Sequence, residues 1–294
     1  MNRPVPAQYR HGWGRADAPQ RPVLFVNPRS GGGRAGRARL VEAARERDIE
    51  PVVLEPGDDL GALADEAAAG GADVLGMAGG DGSLAVVASA ASAHGIPFVC
   101  VPAGTRNHFA RDLGLDPDDL VGALDAFTDA LEGSIDLGVV NGRPFLNNVS
   151  LGVYGAAVQR ESYRDAKART LFETAAEVLG PSAELPGMRL VDDRGVVHTD
   201  PAVILVSNNP YALRRPARTG MRPVLDSGRL GVLVLARPGG APGRPGRGWT
   251  ARSLEVTAGD AVTAGVDGEA IRLDPAVHFG IRSRALRVRI AHIL

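Results

Sequence analysis

The sequence is poor in residues on which several classes of protein depend. It has one cysteine, Cys100, which excludes an intramolecular disulfide framework and a zinc cage made of several cysteines. Because Cys100 lies in an apolar run, we expect a buried and unreactive thiol. Aromatic residues make up 4% of the chain, without an aromatic RNA-binding signature. The histidines lack the spacing of a metal site, and no GxSxG nucleophile elbow is present.

Long apolar runs and an excess of one charge are also missing. No stretch approaches the roughly 20 apolar residues of a membrane-spanning helix, and residues 1–20 lack the apolar core of a signal peptide. The formal net charge is −1, which argues against a generally basic nucleic-acid binder. We therefore expect a soluble, cytoplasmic protein that binds no nucleic acid and contacts a membrane only peripherally.

Lysine is nearly absent as well. Lys167 is the one lysine of the chain, and arginine supplies every other basic residue apart from histidine. The P-loop pattern GxxxxGK[ST] does not occur, so a phosphate clamp built on a P-loop lysine is excluded unless Lys167 provides the cation.

The first half of the chain alternates short apolar runs with helix-forming segments. This pattern predicts strands at 22–26, 51–54, 73–77 and 97–101, and helices at 34–47, 60–69 and 84–93. Strands and helices that alternate at this spacing are typical of a parallel sheet with right-handed crossovers.

The pattern changes near residue 134. Asn141-Gly142 between two strand-like runs predicts a tight hairpin. A helix is predicted at 156–179, and closely spaced strand-like runs separated by turn residues continue to about 290, which favours an antiparallel sandwich or barrel. We therefore predict a flexible lead-in at 1–20, an α/β domain at 21–134 and a β-rich domain at 135–281.

Three polar loops follow predicted strands of the first half. Their sequences are NPRSGGG at 27–33, GGDGS at 79–83 and PAGTRN at 102–107. Glycines let backbone N–H groups approach an anion, and the helix that follows adds its positive end. Since the carboxyl ends of parallel strands meet at one edge of a sheet, the loops predict a ligand site there. Tight packing is the alternative explanation for the first loop.

Acidic residues stand in two glycine-containing turns. A carboxylate would repel a bound phosphate, so we expect Asp81 to face a metal ion, a metal-bound water or a hydroxyl, with a helix N-cap as the alternative. Asp267-Gly268, followed by Glu269, indicates a hairpin turn first and a functional site second.

Taken together, these motifs resemble the diacylglycerol kinase catalytic-domain family, which includes bacterial lipid kinases and the sphingosine and ceramide kinases. The three loops and Asp267-Gly268-Glu269 occur in the order and spacing of that family, and Asp136-Leu137-Gly138 and residues 145–152 resemble its inter-domain segment. The GGDG element alone is shared with NAD kinases and phosphofructokinases. The GTxN loop and the late DGE indicate the lipid-kinase type.

The resemblance implies a fold and a reaction. The fold is an α/β N-terminal domain with a parallel sheet, similar to NAD kinase and diacylglycerol kinase, plus a C-terminal β-rich sandwich domain, with residues 282–294 returning to the first domain. The first domain would bind nucleotide and the second the lipid substrate. The cofactors would be ATP and Mg²⁺, and the γ-phosphate would pass to the hydroxyl of diacylglycerol or a related lipid alcohol.

The resemblance also implies which residues act. Those near the nucleotide would be Asn27, Pro28, Arg29, Ser30, Gly31, Glu55, Gly79, Gly80, Asp81, Gly82, Ser83, Leu84, Ala85, Thr105, Arg106 and Asn107. Asp267 would be the general base, Glu269 would assist it, and Asp81 would hold a metal ion or its water. We expect Asp81 and Asp267 to face each other across a cleft, and Arg29 or Arg106 to replace the missing lysine.

The chain departs from the family pattern at three positions. Ser83 stands where threonine is usual and keeps the hydroxyl. His108 stands where an aspartate is usual, which leaves the metal stoichiometry open. Ser227 replaces an acidic residue in the segment 224–230, where bacterial members carry a structural Mg²⁺, so we expect no ion there.

Two other functions stay open, a kinase of a soluble alcohol or of NAD, and a catalytically silent lipid- or nucleotide-binding regulator. The oligomeric state, including a homodimer, and the identity of the lipid also stay open. Two arginine-bearing stretches predict contact with anionic headgroups at the inner membrane face, with ordinary solvated arginines as the alternative. Their residues are Arg214, Arg215, Arg218 and Arg222, and Arg244, Arg247 and Trp249.

Overall fold

The computed structural model describes residues 12–152, 187–199, 201–212, 221–235 and 247–292. The chain divides into two compact units, one made of Met1–Ile135 with Arg284–Leu294 and the other of Asp136–Ser283. Several predictions fall outside the described residues, namely the helix at 156–179, Lys167, Arg214, Arg215, Arg218 and Arg244.

The first unit contains a parallel sheet. In chain order its first strands are β1 (Gly14–Ala16), β2 (Pro22–Val26), β3 (Glu50–Val53), β4 (Val74–Ala78) and β5 (Phe98–Val101). The parallel strands lie in the order β3-β2-β4-β5. Every residue of β2, β4 and β5 is buried. Strands covered on both faces need continuous apolar runs, and that is the pattern that the sequence carries.

Helices follow these strands. They are α1 (Arg34–Arg37), α2 (Leu40–Arg45), α3 (Leu60–Ala69), α4 (Asp81–His94) and α5 (His108–Asp112), with 3-10 turns at Ser30–Gly32 and Gly122–Phe127. Helix α3 starts where the Asp59 carboxylate accepts the N–H groups of Gly61 and Ala62. Helix α4 ends at Gly95, in the left-handed conformation.

The prediction of one helix at 34–47 is wrong at its centre. Arg39, with φ = 48°, separates α1 from α2. The break allows both Ala35 of α1 and Leu40 of α2 to be buried in the same core, which a single straight helix with this spacing would not achieve.

Two strands contain the residues at which the chain passes between the units. They are β6 (Ala130–Val140) and β17 (Val277–Ala291). In the first unit, β1 pairs antiparallel with β6, and the C-terminal part of β17 is parallel to β5, with Val288 aligned with Phe98. Glu132 of β6 binds two arginines of β17, with Oε1 2.6 Å from Nε of Arg287 and Oε2 2.8 Å from Nε of Arg289.

The second unit is antiparallel. Its further strands are β7 (Arg143–Phe145), β8 (Asn148–Gly152), β9 (Met188–Asp192), β10 (Val197–Thr199), β11 (Val203–Asn208), β12 (Leu230–Leu235), β13 (Arg247–Ala251), β14 (Ser253–Ala258), β15 (Val262–Val266) and β16 (Glu269–Leu273). One sheet has the order β13-β12-β11-β8-β15-β16, and β10-β9-β14 continue into the N-terminal part of β17. Buried side chains from both sets of strands, such as Val206 and Val256, form one core. The predicted fold class, an α/β unit and a β-rich unit, is confirmed.

The two predicted hairpin turns are present. Asn141 and Gly142 have φ of 45° and 82° between β6 and β7, and Asp267 and Gly268 have 49° and 90° between β15 and β16. Positive φ at both central residues is the geometry of a type I′ turn, which matches the right-handed twist of paired strands and favours Asn-Gly and Asp-Gly.

Candidate functional site

The three polar loops of the first unit contact one another. A Cβ on Gly104 would lie 2.6 Å from Cα of Gly80, and a Cβ on Gly31 would lie 2.4 Å from the carbonyl oxygen of Ala103. Gly31 also has φ = 56°, a left-handed conformation that glycine adopts without steric cost. The glycines at these positions therefore allow the backbones of the loops after β2, β4 and β5 to meet at the carboxyl edge of the sheet.

The first loop is a turn held by its own residues. The backbone N–H of Arg29 donates to Oδ1 of Asn27 at 3.0 Å, and Gly31, Gly32 and Gly33 follow with positive φ. A Cβ on Gly32 would meet nothing within 4 Å. Pro28 and Arg29 are exposed beside it.

Asp81 joins the second loop to the third. It is the first residue of α4, yet its carboxylate accepts the backbone N–H groups of His108, at 3.3 Å, and Phe109, at 3.1 Å. Asp81 therefore caps α5 rather than its own helix, whose N-cap is Gly80. A negative charge at a helix N-terminus is stabilising. The alternative that Asp81 is the N-cap of its own helix is therefore wrong, because its carboxylate binds the N-terminal N–H groups of α5 instead.

Asn107 and Arg34 hold the third loop in place. Asn107 is 1% exposed, and its Nδ2 donates to the carbonyl oxygens of Pro102 and Gly104, each at 3.0 Å. Arg34 donates from Nη1 to the same oxygen of Gly104 at 3.1 Å and from Nη2 to that of Pro117 at 2.6 Å. The side-chain oxygen of Asn107 is buried and accepts no hydrogen bond.

Arg34 was missed by the sequence reasoning. A cation in the first turn of a helix opposes the helix dipole, and such a position is a signal that an arginine is needed for another contact. Its partners lie 70 and 83 residues further along the chain, so no local pattern reveals them.

The remaining predicted residues of this site differ in how they are placed. Ser83 and Arg106 are half-buried and Thr105 is exposed, all within the loop cluster, whereas Leu84 is fully buried in α4. Glu55 is exposed after β3, and its backbone N–H donates to Asp58 Oδ2 at 2.7 Å. Glu55 is at the same edge of the sheet, because β3 is the parallel neighbour of β2, and its nucleotide role stays a prediction.

Cys100 lies beneath this edge, in β5. Burial raises the pKa of its thiol well above the usual value, and the negative charge of Asp81 raises it further. The expectation of a buried, unreactive thiol is therefore supported by its surroundings.

Asp267 is fixed by backbone groups of the second unit. Its Oδ2 accepts the N–H of Leu146 at 2.8 Å, and its Oδ1 accepts those of Asn147, at 2.7 Å, and Asn148, at 3.2 Å. The N–H of Asp267 donates in return to the carbonyl oxygen of Asn148 at 3.0 Å. Asp267 is 7% exposed, so its carboxylate is held in one position.

An apolar groove lies in the same unit as this carboxylate. Nδ2 of Asn148 donates to the hydroxyl of Tyr211 at 3.0 Å, and Tyr211 lines a groove of about 170 Å³. The groove lies on β11, β12 and β13, and its lining includes Leu205, Ser207, Gly231, Leu233 and Thr250. A Cβ on Gly231 would lie 2.7 Å from Cα of Pro210, so the glycine lets the chain that leads to Tyr211 pass close to β12.

The position of Arg222 contradicts the prediction that this side chain contacts membrane headgroups. The sequence places it in an arginine cluster at the surface, but the side chain is 1% exposed and binds carbonyl oxygens of Leu146, Asn147 and Asn208. The prediction that it contacts headgroups is therefore wrong. Trp249 also packs against the core, with its ring stacked on His198 at a centroid distance of 4.5 Å.

Glu269 and the segment around Ser227 take separate positions. Glu269 is exposed, with Oε2 3.7 Å from Nη2 of Arg143.

The N–H of Ser227 donates to Oδ1 of Asn209 at 2.9 Å, and the N–H of Gly228 donates to Oδ2 of Asp136 at 2.7 Å. Backbone N–H groups of the segment 224–230 thus bind oxygens of Asn209 and Asp136.

Asp81 lies in the first unit and Asp267 in the second, and their predicted approach stays a prediction. Within the described ranges, no three His, Cys, Asp or Glu side chains converge on a possible metal position. The described part of the chain also contains no helix with the length and apolar character needed to cross a membrane.

The loop cluster falls within a segment that matches a family model. Residues 21–140 match the family model described as "Diacylglycerol kinase catalytic domain". This segment is similar to the diacylglycerol kinase catalytic domain over less than half of the chain. The match contains all three loops together with Asp81, Arg34 and Asn107, and it ends before Asp267.

Relatives with curated names share about half of the chain. A Pseudomonas aeruginosa (strain UCBPP-PA14) protein named "Probable lipid kinase YegS-like" is 40% identical over 150 residues, which are 49% of this chain and 48% of the relative. A Mycobacterium tuberculosis (strain CDC 1551 / Oshkosh) protein named "Diacylglycerol kinase" is 34% identical over 133 residues, 44% of this chain and 41% of the relative. The matches therefore span about half the length of these relatives or less.

Solved structures extend the likeness of the fold to both units. A structure from Bacillus anthracis str. Sterne has a TM-score of 0.72 at 19% identity and covers 95% of this chain and 100% of its own. Another from the same organism, described as a diacylglycerol kinase, has a TM-score of 0.65 at 17% identity with the same coverage. At these identities the likeness concerns the fold alone.

Proposed function

We propose that the protein is an ATP-dependent lipid kinase that transfers the γ-phosphate of ATP to the hydroxyl of diacylglycerol or a related lipid alcohol. The observation that carries the proposal is the carboxylate of Asp267, which is fixed by three backbone N–H groups, in a chain whose residues 21–140 match the family model of the diacylglycerol kinase catalytic domain. A fixed carboxylate suits the hydroxyl end of such an acceptor. The apolar groove lined by Tyr211, whose hydroxyl accepts a hydrogen bond from Asn148, suits its hydrocarbon.

The glycine loops of the first unit suit a nucleotide. The start of α4 offers N–H groups to phosphate oxygens, and Arg29 and Arg106 stand in the loop cluster as cations.

Magnesium fits this site as an ion that arrives with the nucleotide. Proteins commonly bind Mg²⁺ through one or two carboxylates together with the phosphates of the substrate, and Asp81 is the carboxylate that adjoins the loops. When bound, the ion would neutralise negative charge on the phosphates. The described residues offer no cluster of three ligands that would hold it alone.

Asp267 would orient the acceptor hydroxyl and take its proton. Phosphoryl transfer has a loose transition state, so positioning and charge stabilisation contribute more than strong basicity. Two of the three N–H donors bind Oδ1 and one binds Oδ2, and this arrangement fixes the direction from which the carboxylate meets a hydroxyl.

The groove would hold hydrocarbon of the acceptor. Each methylene that leaves water contributes about 0.8 kcal/mol, so lining residues such as Leu205 and Leu233 favour lipid over a soluble alcohol. Access to lipid would come from transient contact with an anionic membrane surface, for which Arg247 is the exposed cation that remains of the predicted set within the described residues.

The test is phosphorylation of lipid alcohols in vesicles. The purified protein is given ATP, Mg²⁺ and a panel of diacylglycerol, sphingosine, ceramide, glycerol and NAD, and phosphorylated products are measured by mass spectrometry beside Asp267→Asn. The proposal predicts a phosphorylated lipid that Asp267→Asn does not form. Product from glycerol or NAD alone would support the soluble-substrate kinase, and binding of lipid or ATP without any product would support the silent regulator. Both outcomes contradict the proposal.

A further inference from the structure

A buried cation lies behind the backbone that holds Asp267. The guanidinium of Arg222 donates from Nη1 to the carbonyl oxygens of Leu146 and Asn147, and from Nη2 to Oδ1 of Asn147 at 2.6 Å. The N–H groups of the same short segment bind the carboxylate of Asp267 on the other side. The segment 146–148 is thus placed between a guanidinium and a carboxylate.

Two peptide groups bridge the two charges directly. The group between Leu146 and Asn147 gives its carbonyl oxygen to Arg222 and its N–H to Asp267, and the group between Asn147 and Asn148 does the same. In a trans peptide the C=O and N–H point in opposite directions. One peptide group can therefore accept a hydrogen bond from Arg222 on one side and donate one to Asp267 on the other. Each peptide dipole is then aligned favourably with both charges, and the hydrogen bonds polarise one another.

Further contacts fix Arg222 itself. Its Nη1 also donates to the carbonyl oxygen of Asn208 at 2.9 Å, and Nδ2 of Asn208 donates to the carbonyl oxygens of Leu146, at 3.2 Å, and Asp136, at 2.9 Å. A guanidinium is rigid and planar, and at 1% exposure it has little freedom to move. The carbonyl side of the segment is therefore anchored to β11 and β6.

We propose that Arg222 is a positioning residue that fixes the Asp267 carboxylate through the peptide groups of residues 146–148. The inference rests on the proposed function for its consequence in catalysis. The mechanical part, that loss of the guanidinium loosens the three N–H bonds to Asp267, is independent of what the protein phosphorylates.

Two substitutions and a matched control test the proposal. Arg222→Met removes the charge and its donors, and Arg222→Lys keeps a buried cation with fewer donors. Arg289 is the control, because it is 8% exposed, binds Glu132 and the carbonyl oxygen of Asp17, and lies in the first unit. Arg289→Met and Arg289→Lys repeat the same chemical changes in the first unit, whereas Asp267 belongs to the second.

The direct measurement is the ¹H–¹⁵N spectrum of the amides of Leu146, Asn147 and Asn148. Asp267→Asn provides the reference direction, an upfield proton shift when the charged acceptor is lost. Arg222→Met is expected to move the same three amides in that direction, Arg222→Lys to move them less, and both Arg289 variants to leave them unchanged.

Kinetics give the second measurement, on the lipid that the wild-type protein phosphorylates. Misplacement of a reacting group costs up to about 100-fold in rate, so kcat should fall roughly tenfold to a hundredfold in Arg222→Met and recover in part in Arg222→Lys. The KM for ATP should stay within about twofold, because the nucleotide is bound elsewhere.

The outcomes separate this inference from the proposed function. Unchanged amides in folded Arg222→Met, or an unchanged kcat, would overturn the positioning role. Failure of Arg222→Lys to fold would overturn it too, because the arginine would then be a folding requirement. Shifted amides in a protein that phosphorylates nothing would keep the positioning role and reject the kinase.

Discussion

The carboxylate of Asp81 lies 3.1 Å from the backbone nitrogen of Phe109, so the first residue of α4 caps α5. This bond connects two loops at the carboxyl edge of the first sheet that are more than twenty residues apart. Asp81 thus has a structural role in addition to any contact with metal or nucleotide, and a substitution at this position has to separate the two.

Asp81→Ala and Asp81→Asn provide that separation. Loss of an N-terminal cap costs about 1 kcal/mol, so Asp81→Ala should lower the free energy of unfolding by about that amount. Asp81→Asn keeps an acceptor oxygen and should cost less, while the affinity for ATP in the presence of Mg²⁺ falls in both variants. Urea unfolding and calorimetric titration with ATP measure the two effects.

Asp59→Ala is the matched control for this prediction. Asp59 caps α3 through the N–H groups of Gly61 and Ala62, so its loss should cost a similar free energy of unfolding and leave ATP affinity unchanged. If Asp81→Asn bound ATP and Mg²⁺ as the wild type does, Asp81 would be a cap only.

Gly104→Ala tests the contact between the second and third loops. The added methyl group would lie 2.6 Å from Cα of Gly80 and 2.9 Å from Oδ1 of Asn107, and backbone atoms cannot move aside cheaply. We expect a loss of about 1–3 kcal/mol in unfolding free energy and weaker nucleotide binding. Gly36→Ala, where a Cβ meets nothing within 4 Å, should be neutral or stabilising by up to about 1 kcal/mol. Equal stability of the two variants would contradict the loop contact.

The buried thiol of Cys100 should make the free energy of unfolding fall as the pH rises above neutral. Burial, and next the charge of Asp81, raise the pKa of this thiol in the folded protein above its ordinary value of 9.0. Above that value the unfolded chain loses the proton while the folded chain keeps it, so stability falls as pH rises, by up to about 1.4 kcal/mol per pH unit from this group. Urea unfolding between pH 8 and pH 10 (about one unit either side of an ordinary thiol) should show a steeper fall for the wild type than for Cys100→Ala. Parallel curves would show that the thiol does not titrate in this way.

A bulky side chain in the groove lined by Tyr211 should raise the KM for lipid and leave the KM for ATP unchanged. Thr250→Trp places an indole in the groove lined by Leu205 and Leu233, so the KM for diacylglycerol should rise roughly tenfold, the effect of about 1.4 kcal/mol of lost binding. Thr257→Trp on β14, which does not line the groove, should change neither KM. A normal KM for lipid in Thr250→Trp would place the hydrocarbon elsewhere.

Features determined by neighbouring residues could be predicted from the sequence. Asn141-Gly142 and Asp267-Gly268 form the expected turns because residues with positive φ are required at both central positions. The buried strands of the first unit are apparent as apolar runs, since both faces of the sheet are covered.

Contacts between distant residues could not be predicted in this way. Arg222 stands in an arginine-rich stretch, which favours a solvated or membrane-facing side chain, yet its partners at Leu146 and Asn147 lie 76 and 75 residues earlier. Arg34 binds the carbonyl oxygens of Gly104 and Pro117, and no residue near it in the sequence indicates these contacts. The burial of an arginine among carbonyl oxygens depends on residues that are distant in the sequence. Local composition predicts the opposite, an arginine exposed to solvent.

The alignment of Val288 with Phe98 determines when the first unit can finish folding. Residues 284–291 of β17 leave the ribosome only after the whole of Asp136–Ser283 has been made. At roughly 5–20 residues per second, this delays completion of the parallel sheet by roughly seven to thirty seconds. During that interval one edge of β5 is unpaired. We expect chaperones, or later segments of the same chain, to cover this edge and so to prevent its pairing with other strands.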